Sequence, residues 1–252
     1  MRITRLLVLL AALAGVGATA YFASTPDSVA AAPAAPVAST ATAAAPAATP
    51  ADPFSERTFG KADAPVTLVE YAALTCVHCA HFHTNVMPLL KQTYLDKGLV
   101  RIVFVDFPFN EIGLKAAMAT RCAPEQNYYD FLQALFLAQD KWSNPSVGDT
   151  LLKQMAGFAG LSTEQYDACV KNSALSDHLL KLRVEATNSV QVSATPTVLV
   201  QGTLERVVGA QEFSEYAKVI DRQLARLGIT PPAHPQTPAA PAAPAPDAHN
   251  HE

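Results

Sequence analysis

Buried-strand texture occurs at two separated places in this chain, and everything between them has helical texture. The first place holds VTLVEY (Val66–Tyr71) and VRIVFVDFP (Val100–Pro108). Both are near-continuously apolar rather than alternating, the pattern of strands covered on both faces of a sheet. Between them the apolar spacing turns helical from Thr75 to about Leu95, with Pro88 expected to kink or interrupt the helix and Gly98 to end it. The second place is TPTVLVQGTLERVVG (Thr195–Gly209): β-formers, a Gln-Gly turn and a second run, which reads as a hairpin. A closing helix is expected from about Gln211 to Leu227, capped by Gly228 and stopped by Pro231-Pro232.

Residues 111–192 lack such runs. Leu, Ala, Met and Phe recur at helical spacing through LKAAMATRCA, YYDFLQALFLAQ, TLLKQMAGFAG, TEQYDACVK and DHLLKLRVEATNSV. Breakers stand at Pro124, Pro145, Gly157 with Gly160, and around Asn172, so four or five helices and no strand are expected. Taking this block out leaves strand–helix–strand followed by hairpin–helix. The expected fold is therefore α/β: one mixed sheet flanked by helices, built from residues 54–110 and 193–230, with an all-helical domain inserted over 111–192.

Proline marks where folding should stop, because 13 of the 19 prolines lie outside residues 54–230. Residues 25–53 form an Ala/Pro-rich linker without glycine or aromatic residues, which has almost nothing to bury and acts as a semi-rigid spacer. Residues 231–252 form a second low-complexity tail. Its His249 and His251, with Asp247 and Glu252, read as a solvated end rather than a loose metal site. Ahead of the linker, Arg2 and Arg5 precede an apolar stretch from Leu6 to Val16 and a small-x-small site at Ala18-Thr19-Ala20. Residues 1–24 are therefore expected to be a secretory signal peptide, or an uncleaved membrane anchor over residues 6–24. Either one takes the chain out of the cytoplasm. A net charge of −4 with no basic stripe argues against a nucleic-acid partner.

Export changes how the four cysteines are read, since disulfides persist outside the cytoplasm. Cys122 and Cys169 both fall in the helical block. Pairing them is the simplest connectivity; two buried free thiols are the other possibility. Cys76 and Cys79 differ in kind, forming a Cys-Val-His-Cys turn where a strand gives way to a helix. Backbone N–H groups at a helix start stabilise a thiolate, which favours Cys76 as an exposed, acidic sulfur. Cys79, one turn in, should be shielded and protonated. One acidic thiol beside one shielded thiol is what reversible disulfide transfer requires. His78 can donate to the Cys76 thiolate or pair with it, unless it is only a surface histidine. Glu70, ending an apolar strand, would favour its protonated form if buried and could then exchange a proton with Cys79; a solvent-facing side chain is the plainer alternative. Thr195-Pro196 opens the hairpin where a strand would pass the cysteines, and a cis bond there would leave backbone groups free for an extended peptide. A reading from another class is zinc or copper binding by Cys76, Cys79 and His83, at i, i+3 and i+7 of one helix. Cys-x-x-Cys-His haem attachment is excluded, because Ala80 stands where the histidine is needed.

EYAALTCVHCAHFH, VRIVFVDFP, the helical insertion and ATPTVLVQG, in this order across residues 54–230, resemble the DsbA-like thiol:disulfide oxidoreductases of the thioredoxin superfamily. The resemblance implies a thioredoxin fold interrupted by a helical domain. It implies Cys76 as nucleophile, Cys79 as resolving thiol, His78 as thiolate stabiliser and Glu70 as buried acid. Pro196 takes the position of a cis-proline after Thr195, with Val77 beside them at the substrate face. Substrates would be reduced, unfolded exported proteins in the periplasm, and a membrane quinone-linked partner of DsbB type would reoxidise the pair. No cofactor is expected. The Ala/Pro tract stands where isomerases of the superfamily carry a dimerisation domain, which implies a monomer that donates disulfides; a reductase or isomerase is the alternative. One departure stands out. The family usually has Cys-Pro-His-Cys, and Val77 replaces the proline that would preset the first helical turn.

Overall fold

The computed structural model describes residues 52–235. The expected signal or anchor over 1–24, the linker up to residue 51 and the tail from residue 236 lie outside the described residues. Among the described residues, no helix is long and apolar enough to cross a membrane.

A five-stranded sheet runs in the order β1-β3-β2-β4-β5, with β1 Arg57–Phe59, β2 Val66–Ala72, β3 Val100–Asp106, β4 Thr197–Val200 and β5 Arg206–Val208. Strand β2 is central. It runs parallel to β3, with Val66 opposite Val100, and antiparallel to β4, with Glu70 opposite Val198. Its unbroken hydrophobicity follows from burial on both sides. Val66, Leu68 and Ala72 enter the main core, while Val69 and Tyr71 pack in a smaller cluster with Val103, Phe107, Ala186 and Val192. By the alternation of a strand, Glu70 faces the main core.

The kink expected at Pro88 takes an unusual form. Helix α1 (Val77–His81) passes into a π-helical turn over Phe82–Val86, then into α2 (Met87–Leu90), then into a second π-turn over Lys91–Leu95. Proline offers no N–H and its ring crowds the carbonyl four residues back, so wider turns on either side accommodate it without ending the helix.

Every regular element between β3 and β4 is helical. These are α3 Glu111–Cys122, a 3₁₀ turn at Glu125–Asn127, α4 Tyr128–Leu137, α5 Gln139–Trp142, α6 Gly148–Phe158, α7 Thr163–Val170 and α8 Ser173–Asn188. Six α-helices stand where four or five were expected, because the apolar run around Leu137 divides at Ala138 into α4 and α5. The Trp142 indole N–H donates to the Leu135 carbonyl at 2.7 Å, satisfying an acceptor near the break. Helix α9 (Phe213–Arg226) closes the chain and buries Phe213, Tyr216, Ile220 and Leu224. Beyond it, His234 is within hydrogen-bonding distance of Tyr94 Oη (2.9 Å) and Asp221 (2.7 Å), so the start of the tail packs back on the fold.

Strand β1 was not expected. It is three residues long, too short to display a period, and it opens with an arginine that reads as surface. Arg57 is buried instead, its guanidinium donating to the Arg121 carbonyl at 2.7 Å. Arg121 in turn donates to Asp106 Oδ2 at 2.7 Å, both side chains buried, and this fastens α3 to the end of β3. Gly60 follows β1 at φ +92°, where a Cβ would meet the Val100 carbonyl oxygen at 2.7 Å.

Candidate functional site

Strand β2 delivers the chain to a short loop, Ala73 to Thr75, and Cys76 then caps α1 with extended backbone (φ −86°, ψ 120°). Two bonds shape this turn from within: Cys76 N–H donates to Ala73 O, and Ala80 N–H to Cys76 O, each at 3.0 Å. Two more come from the helical block, where the buried Gln139 Nε2 donates to Leu74 O at 2.6 Å and Cys76 O at 3.0 Å. The break at Ala138 thus sets Gln139 against the active loop. Nothing in the sequence marked Gln139; one glutamine beside an apolar helix carries no periodic signal.

Both sulfurs are free thiols, and their surroundings differ sharply. Cys76 is partly exposed, Cys79 fully buried. The Cys76 pKa falls to about 5, chiefly because the Cys79 thiol donates to its sulfur; burial opposes this, and the backbone N–H groups of Cys79 and His78 assist. Burial pushes the Cys79 thiol far upward, and the neighbouring Cys76 sulfur adds to the rise. The stabilisation expected from the His78 imidazole comes through its backbone N–H instead: the side chain is exposed and makes no hydrogen bond to Cys76. Successive residues of a helix point about 100° apart, so His78, one residue before the inward-facing Cys79, turns outward.

The Thr195–Pro196 bond is cis. The Cys76 thiol lies 3.4 Å from the Thr195 carbonyl oxygen, to which it donates. Thr195 Oγ1 is buried without a hydrogen-bond partner, and Pro196 is buried beside it. Val77, next to Cys76 in the chain, stands 68% exposed, an apolar side chain presented to solvent. The Cys76 sulfur and the cis Thr195–Pro196 segment thus meet, with Val77 following Cys76 in the chain.

Glu70 is fully buried, which rules out its solvent-facing alternative. Its Oε1 lies 2.8 Å from His83 Nε2, and Oε2 has no partner. This corrects the metal reading of Cys76, Cys79 and His83. The π-turn beginning at Phe82 departs from regular α-helical spacing, and His83 engages the buried carboxylate rather than joining a ligand set. Among the described residues, no three His, Cys, Asp or Glu side chains are placed to hold a metal ion. Cys122 and Cys169 are disulfide-bonded, Cα atoms 6.3 Å apart, joining α3 to α7. The bond belongs to the helical block alone.

A sequence model of the thioredoxin family matches residues 54–222. A Rickettsia conorii protein named as a protein-disulfide oxidoreductase is 30% identical over 149 residues, 59% of this chain and 54% of that protein. Disulfide bond formation protein D of Bacillus subtilis is 26% identical over 179 residues, 66% of this chain and 75% of that protein. The chain thus spans little more than half the length of the rickettsial relatives it matches. The crystal structure of Wolbachia pipientis alpha-DsbA1 is similar at TM-score 0.63 and 30% identity, covering 68% of this chain and 92% of that one. The family match spans both halves of the sheet and the helical insertion between them, and with these likenesses it settles the relationship: the chain belongs to the thioredoxin family, in its DsbA-type branch.

Proposed function

We propose that this protein is a thiol:disulfide oxidoreductase that donates the Cys76–Cys79 disulfide to reduced, folding proteins exported to the periplasm. The asymmetry of the two sulfurs carries this reading. A substrate thiolate attacks the Cys76 sulfur, the Cys76–Cys79 bond breaks, and Cys79 leaves with the electron pair and takes a proton. A second substrate thiolate then attacks the substrate sulfur of the mixed disulfide and expels Cys76 as a thiolate. Its pKa of about 5 makes Cys76 a good leaving group at neutral pH. The products are an oxidised substrate and a dithiol enzyme.

A stabilised thiolate favours the dithiol over the disulfide, which gives the pair an oxidising poise. A quinone-linked membrane oxidase of DsbB type is the expected partner for reoxidation. The patch of Val77, Thr195 and Pro196 would receive an extended substrate segment next to Cys76, Glu70 would exchange the Cys79 proton, and the Cys122–Cys169 bond would serve structure. The protein acts as a monomer, either released by cleavage after residues 1–24 or held at the inner membrane through residues 6–24.

The reduction potential, equilibrated against glutathione, tests the reading. A value well above that of thioredoxin (about −270 mV), toward about −120 mV, supports disulfide donation despite Val77. A value at thioredoxin's level would make the domain a reductase or isomerase.

A further inference from the structure

Thiol exchange between Cys76 and Cys79 does not by itself explain the buried histidine held against Glu70. His83 has no exposed side-chain surface, and its Nε2 is 2.8 Å from Glu70 Oε1. Its ring stacks on Phe136 with centroids 4.1 Å apart and planes 15° from parallel, and the edges of Phe82 and Phe104 close around it. A ring clamped in this way fixes one carboxylate oxygen. The other, Oε2, is buried without a partner, as is His83 Nδ1.

Other titratable groups lie close to the carboxylate: Tyr128 and Tyr129 from α4, and Tyr216 from α9, whose hydroxyl senses both Glu70 and the buried Cys79 of α1. Asp106, Arg121 and Arg57 act on Tyr128 together with Glu70. Among the described residues, His83 is the one side chain bonded to the carboxylate.

We propose that His83 is a positioning residue that holds Glu70 Oε1 so that Oε2 exchanges a proton with Cys79. The idea rests on the oxidoreductase reading above. When a substrate thiolate breaks the Cys76–Cys79 bond, the electron pair leaves on Cys79 and the proton on Oε2 moves to its sulfur. The carboxylate left behind stays hydrogen-bonded to His83 instead of becoming an unpaired buried charge. In reoxidation the Cys79 proton returns to Oε2. The Cys79 thiolate then attacks the Cys76 sulfur of the mixed disulfide and expels the oxidant's thiolate.

The test uses the full chain carrying glutathione disulfide-bonded to Cys76, with release of glutathione followed by stopped flow from pH 5 to pH 9. His83→Leu removes the donor to Oε1; His83→Gln keeps an N–H but cannot titrate. The release profile of His83→Leu is expected to move upward by about one pH unit, roughly tenfold slower release at pH 7, with His83→Gln between it and the unaltered protein. Adding His83→Leu to Glu70→Gln should change nothing more. In a separate titration of each variant in its reduced form, Cys76 thiolate absorbance half-developed at about pH 5 reports that the turn remains folded. Superimposable profiles, or the same shift persisting in the Glu70→Gln background, would overturn the role of His83 alone. An unaltered protein whose mixed disulfide never closes would overturn the oxidoreductase reading along with it.

Discussion

The two cysteine pairs of this chain obey the same bond chemistry in opposite settings. Cys76 and Cys79 stand at the first turn of a helix, one half-open to solvent and one buried, with donors converging on the outer sulfur. Cys122 and Cys169 lie 47 residues apart and clasp α3 to α7. In the first pair, what stabilises a thiolate makes the disulfide easier to lose. In the second, the bond closes a 47-residue separation and so removes chain entropy from the unfolded ensemble, which stabilises the folded state. A disulfide is thus a reagent or a staple according to whether its surroundings stabilise the sulfur it releases.

The sharpest way to break this contrast is to remove one sulfur from the first pair. Cys76→Ser should abolish disulfide transfer to a reduced substrate. Cys79→Ser leaves the nucleophile but no resolving thiol, so covalent enzyme–substrate adducts should build up on non-reducing gels. An absence of adducts in Cys79→Ser, or their presence in Cys76→Ser, would reverse the two roles.

Removing the second pair tests the other half. The double variant Cys122→Ala, Cys169→Ala should lower unfolding free energy by up to about 4 kcal/mol in the chain-entropy account of a 47-residue closure, read from urea midpoints at constant m. The Cys76 absorbance titration should stay at about pH 5 in that variant. A shift would mean that the helical block tunes the active turn, and Gln139 is the side chain through which it would do so.

The two pairs were not equally legible in the sequence. Cys76 and Cys79 announce themselves through spacing, and strands β2 and β3 through runs that no surface strand would carry. Cys122 and Cys169 were placed in one helical block, but elimination alone left free thiols open as the alternative. Contacts made across the fold were invisible. Gln139 reaches the active loop only because the helix breaks at Ala138, and Arg57 is buried only because Arg121 and Asp106 meet it there. His83 shows the same limit most clearly. Helical spacing set it in line with the cysteines as a ligand, but the π-turn and the buried Glu70 gave it another partner. Periodicity reports which face a residue takes on a regular element, and it fails where the element changes pitch.

The smallest effect separates reagent from staple by proton linkage. In the reduced protein Cys76 has a pKa of about 5 when folded, against 9.0 for an unperturbed thiol, lowered first by the Cys79 thiol. Between those values the unfolded chain holds a proton that the folded one has released, so stability rises with pH across this window. The contribution is fully present above about pH 9 and is lost as pH falls through about 5. Solvent at the half-open sulfur screens it, which keeps the effect small. The oxidised protein has no Cys76 thiol to titrate. Urea midpoints of the reduced form, taken relative to the oxidised form, should therefore climb from pH 5 to pH 9 in the unaltered protein. Cys76→Ser has no oxidised form, so its midpoints are compared directly with those of the reduced unaltered protein, and the share of the climb that belongs to the Cys76 thiolate should be missing. Because the Cys122–Cys169 bond is present on both sides of the subtraction, it cancels. A midpoint difference that stayed flat with pH would mean that the folded turn does not stabilise the thiolate, and the contrast between the two pairs would lose its physical basis.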